Sequence, residues 1–309
     1  MILTVTLNAA IDTTYRTDRF APSDTNRVDL VSRQAGGKGV NVARLLHAWG
    51  QPVIATGLAG GAAGRWIAAD LADRGVDVRF AAVAGESRTT TVVVDASGEA
   101  TTVSERGPVV SPEEWAAFRA LHRDLVGQAA LVVLSGSLPR GVPATAYAQL
   151  VADARQEGVG AIVDADGPAL RAALEQRPYV VKPNADELRR VTGIDDPLAA
   201  ASVIGTSYGV NVVASLGARG LLLWTADAVV QASGSPLTGN PTGAGDAVVA
   251  ALAAGTVRGD TLADCLRDAV ALSAAAVLQD TAGTVDMDDV RRLRPGVTLT
   301  HLAAAGRAS

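Results

Sequence analysis

Short apolar runs alternate along this chain with helical patterns that carry their own start signals, and this alternation leaves few folds open. Residues 2–7, 53–56, 131–135, 161–164, 179–181 and 212–215 read as strands buried on both faces. Ser111-Pro112-Glu113-Glu114 joins a capping serine, a proline at the first helical position and a glutamate spaced to close a capping box. Asn184-Ala185-Asp186-Glu187 offers the same pairing with asparagine as the cap. Strand and helix in turn imply an α/β fold on a mostly parallel central sheet with right-handed crossovers. Ligands in such sheets bind beyond the carboxyl ends of the strands.

Two segments depart from the pattern. Residues 88–105 alternate like a two-stranded ribbon, turning at Asp95-Ala96-Ser97-Gly98. Residues 12–35 hold another extended polar stretch around Arg27-Val28-Asp29-Leu30-Val31. Together they suggest a small sheet outside the main one, suited to closing over a cleft or to pairing with a second copy in a homodimer. Residues 296–309 read as weakly structured.

Composition narrows the ligand. The 309 residues are 48% hydrophobic and 19% charged, much of the apolar share being alanine, so a large core of closely packed helices is expected. A net charge of −5 with 4% aromatics argues against nucleic acid, which needs a basic face and stacking residues. The single cysteine, Cys265, permits no intrachain disulfide or cysteine zinc site and reads as a buried small hydrophobe. His47, His122 and His301 match no metal spacing and read as surface or half-buried residues. The first residues look like a strand rather than a signal peptide, and no uninterrupted apolar run reaches membrane-spanning length. The expectation is a cytoplasmic protein without membrane or nucleic-acid partners.

Gly239-Asn240-Pro241-Thr242-Gly243-Ala244-Gly245-Asp246-Ala247 carries the chemistry. A small-residue helix, 248–255, follows it. A glycine loop opening a helix leaves backbone N–H groups free at the positive end of the dipole, which makes an anion site. Asp is favoured in first turns on dipole grounds alone. A carboxylate against an anion hole nevertheless suits one task well: taking a proton from a hydroxyl while the N–H groups hold a transferring phosphoryl group. Val248 stands where a dinucleotide fingerprint needs its third glycine, which disfavours a nicotinamide dehydrogenase, and no phosphate-binding G-x-x-x-x-G-K-[ST] loop occurs. Further polar motifs sit at predicted strand ends: Asn8 and Asp12; Gly36-Gly37-Lys38-Gly39-Val40-Asn41 ahead of a helix over 42–49; Ser135-Gly136-Ser137-Leu138-Pro139; Lys182-Pro183-Asn184-x-x-Glu187; and Ser215-Leu216-Gly217-x-x-Gly220.

In order and wording these motifs resemble the ribokinase-like, or PfkB, carbohydrate kinase family, from Asn8 to about Gly283. Within it the chain looks most like the 1-phosphofructokinase and tagatose-6-phosphate kinase branch. Asn8-Ala9-Ala10-Ile11-Asp12 resembles that branch's N-P-A-[IL]-D opening, and Thr242-Gly243-Ala244-Gly245-Asp246 is the most specific mark. Ala9 and Arg140 stand where prolines are common, and Asn240-Pro241-Thr242 where Asn-Thr-Val is, which places the chain in a side group.

The resemblance implies a three-layer fold over the whole chain, 1–309, as one kinase domain with lid segments at about 12–35 and 88–106. It implies ATP and Mg2+. Asp246 would be the general base, with Gly243, Ala244 and Gly245 as the anion hole. Asn184 and Glu187 would organise magnesium and phosphate through water. Ser215, Gly217, Gly220 and Thr242 would border the nucleotide, with Gly283 and the helix around 271–276 near the base. Asp12, Gly37, Lys38, Asn41 and Ser137 would hold the sugar. A sugar phosphate also needs cations, and arginine suits its bidentate geometry. Arg88 and Arg27 are the candidates. The expected reaction is phosphorylation of a ketohexose phosphate, fructose 1-phosphate first and tagatose 6-phosphate next. The alternatives are a kinase of an unphosphorylated sugar or nucleoside, and a sugar-phosphate sensor that has kept the fold.

Overall fold

A computed structural model describes residues 1–302. In chain order the first half comprises β1 (Ile2–Thr6), β2 (Ala10–Arg16), β3 (Asp29–Gly36), α1 (Lys38–Ala48), β4 (Val53–Gly60), α2 (Gly61–Asp73), β5 (Asp77–Val83), β6 (Arg88–Val94), β7 (Ala100–Ser104), α3 (Pro112–Val126), β8 (Leu131–Ser135) and α4 (Ala146–Gln156). The second half comprises β9 (Gly160–Asp164), α5 (Gly167–Leu174), β10 (Val180–Val181), α6 (Ala185–Thr192), α7 (Pro197–Tyr208), β11 (Asn211–Ser215), β12 (Leu221–Trp224), β13 (Val229–Ser233), α8 (Ala244–Arg258), α9 (Leu262–Val277), α10 (Met287–Leu293) and β14 (Thr298–Leu302).

The main sheet runs β14-β13-β12-β11-β10-β9-β8-β1-β4-β5. It is parallel from β5 to β11 and antiparallel beyond, through β12, β13 and β14. Strand residues alternate between two cores. Ile2, Leu131 and Val133 pack on one side with α1, α2, α8 and α9; Leu3, Val5, Val132 and Leu134 pack on the other with α3, α4 and α7. This is the three-layer arrangement that strands apolar on both faces demand. The second sheet, β3-β2-β6-β7, joins the two segments that broke the alternation, with β2 parallel to β6 and both outer pairs antiparallel.

Both capping boxes form: Ser111 with Glu114, and Asn184 with Glu187. Other details differ from expectation. α1 starts at Lys38 rather than at 42, because Gly37 (φ 104°) is its N-cap and a side chain at Gly39 would collide with Thr6 and Val5. Packing, not propensity, makes that glycine run helical. Residues 298–302 are not loose: β14 pairs antiparallel with β13. Residues 303–309 lie outside the described range. His47 and His301 are exposed, but His122 is fully buried with neither ring nitrogen partnered, and burial pulls its pKa down to about 4. Cys265 is buried as expected. No described helix is long and apolar enough to cross a membrane.

Candidate active site

The carboxyl ends of β9, β10 and β11 face one side of the small sheet across a cleft of about 760 Å³. Asp164 and Ser215 are the last residues of β9 and β11, and Lys182 follows β10 directly. Asp12, Arg88, Thr90 and Ser104 line the cleft from the small sheet, where Asp12 lies opposite Thr90 in register. The start of α8 closes the floor.

Gly243 caps α8 in the left-handed region, with φ 86° and no side-chain cap. Ala244 differs from expectation, since its N–H donates to the Pro241 carbonyl at 3.2 Å. Among the described residues the N–H groups of Gly243, Gly245 and Asp246 meet no acceptor, which leaves them free for an anion at the positive end of the helix. Asp246 is buried and accepts a hydrogen bond from Asn41 Nδ2 at 2.8 Å. Burial first, then the nearby Asp164 charge, pushes its pKa up to about 7, against the Asn41 bond and the charges of Lys38 and Lys182. A carboxylate poised there is well matched to taking a proton at neutral pH.

Asp164 and Lys182 also line the cleft; the sequence reading gave Asp164 no place among the candidates and Lys182 a place in a strand-end motif but no role. Asp164 Oδ1 accepts from Lys38 Nζ at 3.1 Å and pairs with Lys182 Nζ at 3.4 Å. Lys182 is buried, and a side chain at Gly245 would come within 3.6 Å of its ammonium, so this cation stands directly over the anion loop. Burial disfavours the Lys38 ammonium, yet Asp164, Asp246 and Glu187 together hold its pKa above the usual value. The signal was present, because Asp164 ends one predicted parallel strand and Lys182 directly follows another, where side chains enter the ligand crevice.

On the small-sheet side, burial raises the Asp12 pKa to about 6, against Arg88, Arg44 and hydrogen bonds from Gly37 and Thr90. A side chain at Gly36 would collide with its carboxyl group. Arg88 Nε donates to the Asn8 carbonyl at 3.1 Å and Nη1 to the Glu105 carbonyl at 3.3 Å, leaving Nη2 without an acceptor among the described residues. Burial lowers the Arg88 pKa, opposed by Asp12 and Glu105.

On the opposite side the lining runs through Asn184, Glu187, Ser215, Gly217, Gly220 and Thr242 to an apolar recess of Leu237, Val270, Ala274 and Val277. Glu187 Oε2 accepts the Asn184 N–H at 2.8 Å, which leaves Oε1 outside the cap. Thus Asp12, Gly37, Lys38, Asn41, Arg88, Asn184, Glu187, Ser215, Gly217, Gly220, Thr242 and the 243–246 loop all converge on one cleft. Three expected residues do not line it. Arg27 is exposed on the link between β2 and β3. Ser137 is also exposed and accepts a hydrogen bond from Asn8 Nδ2 at 3.2 Å. Gly283 packs against Asn41, and its neighbour Ala282 reaches the cleft instead.

Residues 3–289 match the model of the pfkB family carbohydrate kinases. A tagatose-6-phosphate kinase of Staphylococcus epidermidis is 32% identical over 297 residues, covering 93% of this chain and 96% of that protein. Phosphofructokinase-2 from Escherichia coli superposes with a TM-score of 0.88 at 30% identity, covering 95% of this chain and 98% of that one. A possible 1-phosphofructokinase from Thermotoga maritima gives a TM-score of 0.90 at 25% identity, covering 98% and 100%. The fold is the ribokinase-like one, as the motifs implied. The family model spans nearly the whole chain, so this chain belongs to the pfkB family of carbohydrate kinases and is a sugar-phosphate kinase.

Proposed function

We propose that the enzyme transfers the γ-phosphoryl group of ATP to a ketohexose phosphate, with fructose 1-phosphate giving fructose 1,6-bisphosphate as first choice and tagatose 6-phosphate as second. The observation that carries this reading is Arg88, which shares a cleft with Asp12 and Asp246 and keeps one guanidinium nitrogen free for a second anion. The likeness to a tagatose-6-phosphate kinase favours the second choice, and the likeness to a possible 1-phosphofructokinase the first.

Asp246 takes the proton of the acceptor hydroxyl as its oxygen attacks the γ-phosphorus and the bond to the ADP oxygen breaks. The free N–H groups of Gly245 and Asp246, with Lys182 and Lys38, hold the charge of the transferring group. Positioning and charge stabilisation carry most phosphoryl transfer. Asp12 holds sugar hydroxyls, and the apolar recess beside α9 takes the base. The small sheet acts as the lid, and the exposed Leu30 and Val103 on its outer strands support pairing with a second copy. ATP and sugar phosphates as substrates fit work in the cytoplasm.

No group of three or more His, Cys, Asp or Glu among the described residues could hold a metal alone. That suits Mg2+, which usually keeps several waters and phosphate oxygens and takes only one or two carboxylates. Glu187, with Oε1 outside its cap, and Asp164, whose Oδ2 is buried without a partner, are the residues that would hold it. The ion would supply charge neutralisation between the phosphates. Glu187→Gln separates its two roles. Glutamine can still accept the Asn184 N–H and close the capping box, so a residue that serves only as a cap should lose little stability and no turnover. A changed magnesium dependence of kcat is the expected result, and an unchanged one leaves Glu187 as a cap only.

Turnover of ATP over a panel of sugar phosphates and free sugars tests the substrate. The expected outcome is a ketohexose phosphate as best substrate. A free sugar or nucleoside ahead of every phosphate moves the enzyme to the plain sugar kinases, and no turnover with any of them supports a sensor.

A further inference from the structure

Arg44 is a buried cation in α1 with no carboxylate in hydrogen-bond reach among the described residues. Burial, with the charge of Arg74, brings its pKa down to about 10, against Asp70 and Asp12. A buried charge of this kind is costly, and an apolar residue of similar length would serve the core at least as well. Its bonds give it a different role. Nη2 donates to Gln34 Oε1 at 2.8 Å, and Nη1 to the carbonyls of Ala35 and Ala282, each at 3.3 Å. Gln34 Nε2 donates to the same Ala282 carbonyl at 2.7 Å. Two side chains therefore tie the end of β3, the root of the small sheet, to the turn at 282–283.

That turn abuts the catalytic loop. A side chain at Gly243 would come within 3.0 Å of Ala282, and one at Gly283 within 2.7 Å of Asn41 Oδ1. Asn41 Nδ2 in turn holds Asp246, while Asn41 Oδ1 is buried without a hydrogen-bond partner among the described residues, so on that side of the amide the packing of the turn sets its orientation. At the other end of the tie, β3 continues from Ala35 into Gly36, against which the Asp12 carboxyl packs.

We propose that Arg44 is a positioning residue for phosphoryl transfer: through Gln34 and the Ala282–Gly283 turn it fixes the small-sheet root against the anion loop and sets how Asn41 presents Asp246. The proposal rests on Asp246 as the base. Steady-state kinetics of Arg44→Met, Asp246→Asn and the double variant test it, on the best substrate of the panel. Arg44→Met should lower kcat about 10-fold, within the range reported for couplings carried through packed and hydrogen-bonded chains, with KM for ATP nearly unchanged. The double variant should be no slower than Asp246→Asn alone, because residues acting as a unit are non-additive. Multiplying losses, or a wild-type kcat in Arg44→Met with only a shifted melting temperature, would overturn it. Should Arg44→Met not fold, Gln34→Met removes the Gln34 half of the tie without touching the charge and should show a smaller kcat loss, about 3-fold, with the same non-additivity, a wild-type kcat there counting against it. A silent Asp246→Asn strikes the base assignment, whereas a silent Arg44→Met in an enzyme that needs Asp246 strikes this proposal alone.

Discussion

Asp246→Asn is expected to lower kcat by about 10²–10⁴-fold, the usual worth of general acid–base catalysis, with little change in nucleotide affinity. Near-normal turnover by the folded variant would remove Asp246 from the mechanism. The wild-type pH profile should carry the same signature. A base must be ionised, and Asp246 is pushed up to about 7, so kcat/KM should be flat above that pH and fall tenfold per unit below it. Asp12, raised to about 6, should steepen the fall further down. Stability should move the opposite way. A carboxyl whose folded pKa lies above its unfolded value holds its proton more tightly when folded, so ionising it opposes folding. The penalty is absent below about 4, grows between about 4 and 7, and is complete above, with an upper bound of about 4 kcal/mol at about 1.4 kcal/mol per pKa unit. Asparagine removes it while keeping an acceptor for Asn41. The variant should therefore unfold at higher denaturant than wild type at pH 8, and the gap should close toward pH 4. A gap that is the same at both pH values would mean that Asp246 is not buried in its costly ionised form.

Arg88→Ala is expected to raise KM for the sugar phosphate by about 10- to 150-fold, since a hydrogen bond to a charged group is worth roughly 1.5–3 kcal/mol and each 1.4 kcal/mol is tenfold. KM for ATP should hardly move, because the nucleotide side of the cleft is built from other elements. Two of the Arg88 nitrogens are spent on the carbonyls of Asn8 and Glu105. They aim the third, so Arg88→Lys, which keeps charge without the fork, should recover only part of the loss. Steady-state kinetics of both variants on fructose 1-phosphate, tagatose 6-phosphate and free fructose decide it. If free fructose is the better substrate and Arg88→Ala is silent, the guanidinium is a structural clamp on the small sheet and the enzyme phosphorylates a plain sugar.

Much of this protein could be read without coordinates because its signals are local. The capping boxes at Ser111 and Asn184 reach three residues, the glycine loop before α8 spans one turn, and apolar runs mark parallel strands by composition alone. Those signals fixed the α/β class, and they put most of the cleft residues on strand ends before any distance was known. The chain's own sequence did not reveal what joins distant segments. Whether β12, β13 and β14 extend the main sheet, and whether β2 pairs with β6, depends on hydrogen-bond partners far apart in sequence. Arg27 and Arg88 both stood as candidate phosphate cations in extended polar stretches, told apart only by the resemblance, which favoured Arg88. Only the folding of the small sheet puts Arg88 in the cleft and leaves Arg27 outside it. His122 read as a surface or half-buried histidine, and only the packing of α3 takes it out of reach of water. The Asp246 carboxyl shows the division most clearly. Its place at the head of a helix is written in nine consecutive residues. Its pKa is set by burial, by Asp164 and by Asn41, because desolvation and charge act through space and not along the chain.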